Sequence, residues 1–115
     1  MQNARHAIQA YKAASRYRSQ REQEADVFHH AIAALKGAKG AAQIKQVRAL
    51  ADNRRLWLTV SNLLRDPSNA LPDALKASIL SVGLTVQREM EREQPDFDFL
   101  ININENLAAG LAGRP

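Results

Sequence analysis

The most constraining stretch of this sequence is Ala49-Leu50-Ala51-Asp52-Asn53-Arg54-Arg55-Leu56-Trp57-Leu58-Thr59-Val60. It carries the single tryptophan, an Arg-Arg pair and the densest run of large apolar side chains. Placed on a helix at about 100° per residue, Ile44, Val47, Leu50, Ala51, Trp57, Leu58 and Leu64 make one broad stripe. Leu56, Val60 and Leu63 fall on a second face, about a third of a turn away. A helix with one apolar stripe covers a core from outside. This one is apolar most of the way round from Leu56 onward and should be touched from two sides. Arg54 lies inside the main stripe. Buried charge is costly unless paired, so Arg54 is expected either to be salt-bridged within the fold or to be held for a partner.

A chain of 115 residues is long enough for one domain with a modest core. With 45% apolar residues, mostly Ala and Leu, and few Gly and Pro, it reads as globular and mainly helical. There is no cysteine, which excludes disulfides, thiol catalysis and Cys-ligated zinc. No secretory signal is visible, and the charge-free run Ala77–Gln87 is far shorter than the roughly 20 residues of a membrane span. A soluble, cytoplasmic protein is expected. The net charge of +4 is divided unevenly: residues 1–55 carry 11 Lys/Arg against 4 Asp/Glu, and residues 56–115 carry 5 against 8. A basic front half can steer an acidic partner, nucleic acid included, or simply complement the acidic back half across the fold.

Taken in order, Asn3 can cap a first helix with Ala4, Ala7, Ile8, Tyr11 and Ala14 at helical spacing. Arg16-Tyr17-Arg18-Ser19-Gln20-Arg21 interrupts it as a basic junction. A second helix is expected over about 21–36, with Ala25, Phe28, Ile32 and Leu35 on one face and Gly37-Ala38-Lys39-Gly40 as its stop. His29-His30 point about 100° apart and no metal-ligand cluster surrounds them, so a metal is not expected. The third helix runs over about 42–65 and is ended by Asp66-Pro67-Ser68-Asn69. Pro72 and Asp73 open the fourth, over about 72–93, where Leu75, Ile79, Val82, Val86 and Met90 form a narrow seam. Gly83 lies on the seam side and would let another helix approach closely, while Leu80 and Leu84 make a second apolar patch. After Pro95-Asp96, Phe97, Phe99, Ile101 and Ile103 alternate as in a strand, yet no other segment offers a pairing partner. Phe97, Leu100, Ile101, Asn104, Leu107, Ala108 and Leu111 fit a helix, and a helix is expected, marginal until packed because Asn102, Asn104 and Asn106 are poor helix formers. Gly110 and Gly113 should fray the tail. The fold class is therefore all-α, a small compact bundle of about five helices with two long central ones. No phosphate loop, nucleophile elbow or paired carboxylate frame is present, so catalysis is not expected.

Three of these segments carry a resemblance. Asn53-Arg54-Arg55-Leu56-Trp57, Leu71-Pro72-x-x-Leu75 and the closing Ile103-Asn104-x-Asn106-Leu107-x-x-Gly110-Leu111 resemble the FlaF family, the flagellar biosynthesis regulators of alphaproteobacteria and not the archaeal proteins of the same name. Ala10-Tyr11 is similar too. The resemblance spans nearly the whole chain, and the Asn-Arg-Arg-Leu-Trp core is its most specific part. It implies a small helical cytoplasmic protein with no cofactor, which serves flagellin as a secretion chaperone or assembly factor. It further implies a link to flagellin expression alongside a partner regulator, FlbT. The ends of flagellin are amphipathic helices, disordered before assembly, so a chaperone would offer them an apolar groove. Leu56, Trp57, Val60, Leu63, Leu64, Leu80 and Leu84 are the candidate anchors, and Arg54 and Arg55 would pair with carboxylates or helix-end carbonyls of the client. Trp57 and Arg54 can equally serve the fold itself. Two other readings stand beside this one. The first is a post-transcriptional regulator that contacts flagellin mRNA through Arg16, Arg18, Arg21, Lys45 and Arg48; the second is an oligomeric scaffold that buries its own spare apolar faces.

Overall fold

The computed structural model describes Ala7, Ile8 and residues 26–111, with the side chain of Leu111 left aside. Every regular element among the described residues is a helix: residues 26–38 (α1), Gln43–Arg65 (α2), Asp73–Met90 (α3) and Phe97–Leu111 (α4). The all-α class holds, with four such helices where about five were expected. Ala7 and Ile8 are helical, and the rest of the expected first helix, the Arg16–Arg21 junction, Ala25 and Gly113 lie outside the described residues.

Each boundary has a local cause. The expected stop at residues 37–40 comes late, because α1 continues through Gly37 to a fully buried Ala38. Gly40 then takes φ +70°, a left-handed conformation that glycine adopts without strain. The Ala38 carbonyl, left over by the helix, accepts from the Ala41 N–H at 2.9 Å and from the Gln46 side-chain amide at 3.4 Å. At the end of α2, Asp66 Oδ1 accepts from the Ser68 N–H and hydroxyl at 2.9 and 2.8 Å, and these two bonds hold its carboxyl below the usual range. Asn69 closes the same turn, donating to the Leu63 carbonyl at 2.9 Å and accepting from the Leu71 N–H at 3.0 Å. α3 ends at Met90 rather than near residue 93. Pro95 disfavours helix in the residue before it, and the Glu89 carboxylate takes the Asp96 N–H at 2.8 Å, folding the chain back. Asp96 in turn caps α4 by accepting from the Phe99 N–H at 3.1 Å.

Successive helices reverse direction. His30 meets Asp52 and Ala38 meets Gln46, so α1 and α2 are antiparallel. Trp57 lies on Gly83 while Asn53 reaches Met90, so α2 and α3 are antiparallel too. Lys39–Asp98 at 2.7 Å and Lys36–Glu105 at 3.3 Å run α4 back along α1. These exposed ion pairs add little stability, up to about 1 kcal/mol each. The core is Phe28, Ala31 and Leu35 of α1, Leu56, Val60 and Leu64 of α2, Ile79 and Val86 of α3, and Phe97, Leu100 and Ile101 of α4. Full burial of a Leu or Val side chain stabilises by about 1.5–3 kcal/mol. Leu35, Leu56, Val86 and Leu100 are fully buried.

The α2 wheel needs correction. Its buried line is Ala49, Asn53, Leu56, Trp57, Val60 and Leu64, which lies between the two expected stripes. Ile44, Val47 and Leu58 of the expected main stripe are 60%, 51% and 62% exposed. A small Ala49 and a polar Asn53 carry the buried line through a region where large apolar residues point outward. On α3, Ile79, Val86 and Met90 are buried as expected, while Leu75 and Val82 of the same seam lie at its exposed edge. On α1 the buried residues are Phe28, Ala31, Leu35 and Ala38, with Ile32 only half-buried.

Candidate partner-binding groove

The Asn53–Trp57 segment is fixed from beneath by a linear chain of side-chain hydrogen bonds. An indole N–H can only donate, and that of Trp57 donates to Asn104 Oδ1 at 3.0 Å. Asn104 must then donate through Nδ2, which it does to Asn53 Oδ1 at 2.6 Å. Asn53 is left to donate to Met90 Sδ, at 3.2 Å. The donor-only indole thus sets both amide orientations and ties α2, α3 and α4 together. Asn53 and Asn104 are both fully buried, and no buried side-chain N or O atom lacks a partner among the described residues. This chain explains why a poor helix former sits inside α4: Asn104 is the link through which α4 is bonded to α2.

The Trp57 ring packs against Gly83. A Cβ at residue 83 would stand 3.3 Å from Trp57 Cε3 and 3.5 Å from Cζ3, so glycine is what lets α3 come this close. This contact forms the floor of a groove of about 550 Å³ between α2 and α3. Arg54, Leu58, Ser61 and Arg65 of α2 form one wall, and Leu80, Leu84, Gln87 and Glu91 form the other. Both walls follow the spacing i, i+4, i+7, i+11, which on a helix is one row about 17 Å long. Trp57, Val60, Ile79 and Met90 lie between the rows.

The candidate residues divide accordingly. Leu56 is fully buried and belongs to the core, touching no groove surface. Leu64 is buried and Leu63 half-buried, and neither lines the groove. Trp57 and Val60 are buried and serve both roles, as core and as floor. Leu80 is half-buried and Leu84 is 57% exposed, both on the α3 wall. Arg54 lies at one end of the groove, exposed rather than buried in the fold, and Arg55 is exposed beside it, outside the groove. Leu58 and Arg65 were not among the candidates. The signal for Leu58 was its place in the main stripe; Arg65 lies one heptad beyond it. Of the paired histidines, His30 lies 3.2 Å from Asp52 and joins α1 to α2. Among the described residues no cluster of His, Cys, Asp or Glu could hold a metal, and no helix is long and apolar enough to cross a membrane.

Comparison with the curated proteins and with the solved structures returns no match. The sequence model of one family, described as flagellar protein FlaF, matches residues 7–111, which includes all of the helices that form the groove and the hydrogen-bonded chain beneath it. The protein belongs to the FlaF family of flagellar proteins.

Proposed function

We propose that this protein is a flagellin-binding export chaperone, whose α2–α3 groove takes the apolar stripe of one terminal helix of unassembled flagellin. The observation that carries the reading is the pair of matched rows, Arg54-Leu58-Ser61-Arg65 and Leu80-Leu84-Gln87-Glu91, flanking an apolar floor. Two parallel ridges about three turns long accept a third helix by ridges-into-grooves packing. The occupant gains by burying a stripe that would otherwise drive aggregation, and it loses the entropy of ordering. That balance keeps the complex releasable, as export requires. The preformed floor lowers the entropy lost on the chaperone side, because the Trp57 ring is already held by Gly83 and Asn104. The protein would act in the cytoplasm, before export.

The test uses Leu84→Gln, an exposed position whose replacement leaves the core intact. Calorimetric titration with monomeric flagellin should show affinity reduced about tenfold or more, with an unchanged melting temperature. Wild-type affinity in the variant would overturn the groove assignment. A second reading, regulation of flagellin expression with FlbT through mRNA, draws support from the exposed Lys45 and Arg48 of α2. It requires that flagellin leader RNA bind and that the affinity fall steeply with salt.

A further inference from the structure

The groove is one end of a longer feature. Asn53 of α2 is bonded to Met90 at the end of α3, while α2 begins at Gln43. α2 therefore overhangs α3 by about 15 Å, nearly three turns. On this overhang Ile44, Val47 and Ala51 are exposed. They continue the α2 wall in a single row: 44, 47, 51, 54, 58, 61 and 65. The steps alternate three and four, the spacing of an a/d coiled-coil seam. The row is about 32 Å long at the rise of a helix, and among the described residues none covers Ile44, Val47 or Ala51, which are exposed.

On α2 the charge in and next to the row has one sign: Arg54 and Arg65 stand in it and Arg48 and Arg55 lie within about a quarter turn of it, all four are exposed, and none forms an ion pair among the described residues. The one carboxylate of α2, Asp52, is turned to His30. A matching surface must carry an apolar stripe at heptad spacing with carboxylates along its edge. A flat bilayer cannot enter the recess between α2 and α3, and a phosphate backbone offers nothing to the apolar row.

We propose that the occupant of the groove continues along α2 as one amphipathic helix of about six turns, its heptad stripe edged with Asp and Glu and packed from Ile44 to Arg65. This rests on the reading of the groove as a helix-binding site, and the two are separable by experiment. Peptides of about 12 and about 24 residues, cut from each terminal segment of flagellin, are titrated against three proteins. These are the wild type, Leu84→Gln, and the double variant Ile44→Gln/Val47→Gln, each checked by circular dichroism for its fold. The longer peptide from one segment should bind at least about tenfold more tightly than the shorter, and salt should weaken it. The double variant should lose that gain while binding the short peptide as the wild type does, and Leu84→Gln should weaken both. Equal affinity for the two lengths, or a gain that survives in the double variant, overturns the extended contact and leaves the groove reading standing. If neither peptide binds, or only anionic vesicles or leader RNA bind, both readings fall.

Discussion

The inward and outward faces of α2 use side chains in opposite senses. Inward, beside Leu56 and Val60, the helix buries a carboxamide, Asn53; outward, it exposes Ile44, Val47 and Leu58. The buried amide is tolerated because both its oxygen and its nitrogen have a hydrogen-bond partner, in a chain that starts at the Trp57 indole and ends at Met90 Sδ. The exposed apolar residues have no such compensation within the described residues, so they are the part of the helix whose place the fold alone does not explain. Polarity therefore does not separate core from surface here. Whether the groups are satisfied does.

The sharpest way to break this comparison is on the inward face. Leu56→Ala empties space in a close-packed core and should destabilise by about 2–5 kcal/mol, read from urea denaturation midpoints at unchanged slope. A loss below about 1 kcal/mol would mean that Leu56 is not held as the structure places it. Next comes the polar chain. Asn104→Ala leaves the Trp57 indole and the Asn53 amide short of a partner and should lose about 1–3 kcal/mol, with a shift in tryptophan fluorescence that reports the freed N–H. Because Trp57 is the only tryptophan, that signal has one source. The smallest effect on stability belongs to the outward face. Arg54→Ala, at an exposed position with no ion pair among the described residues, should stay within about 0.5 kcal/mol of the wild type. It should nonetheless weaken flagellin binding and flatten its salt dependence. A large loss of stability would show that Arg54 serves the fold after all.

Much of the architecture was legible in the residues. Proline and glycine punctuate the chain so strongly that the two long helices fall close to their expected limits, with α3 ending three residues early, where Glu89 takes the Asp96 N–H. The last segment was ambiguous between strand and helix, and the absence of a pairing strand decided it correctly. The lining of the candidate groove was legible in part. Trp57, Val60, Leu80, Leu84 and Arg54 meet at one groove, whereas Leu56, Leu63 and Leu64 do not reach it. Periodicity could not separate these two sets, since both are apolar and both are helical.

What the sequence by itself determined, for the described residues, is the set of elements: their helical type, their order, and the turns between which each lies. Those follow from local chemistry, where φ preferences, caps and turn formers act within a few residues. Only the tertiary structure decided which side of α2 faces inward. On a helix that is apolar most of the way round, local pattern leaves that rotation open. It is fixed by three partners distant in sequence: Gly83, where a Cβ would crowd the Trp57 ring at 3.3 Å, Asn104, which accepts its N–H, and Met90, on which the amide chain ends.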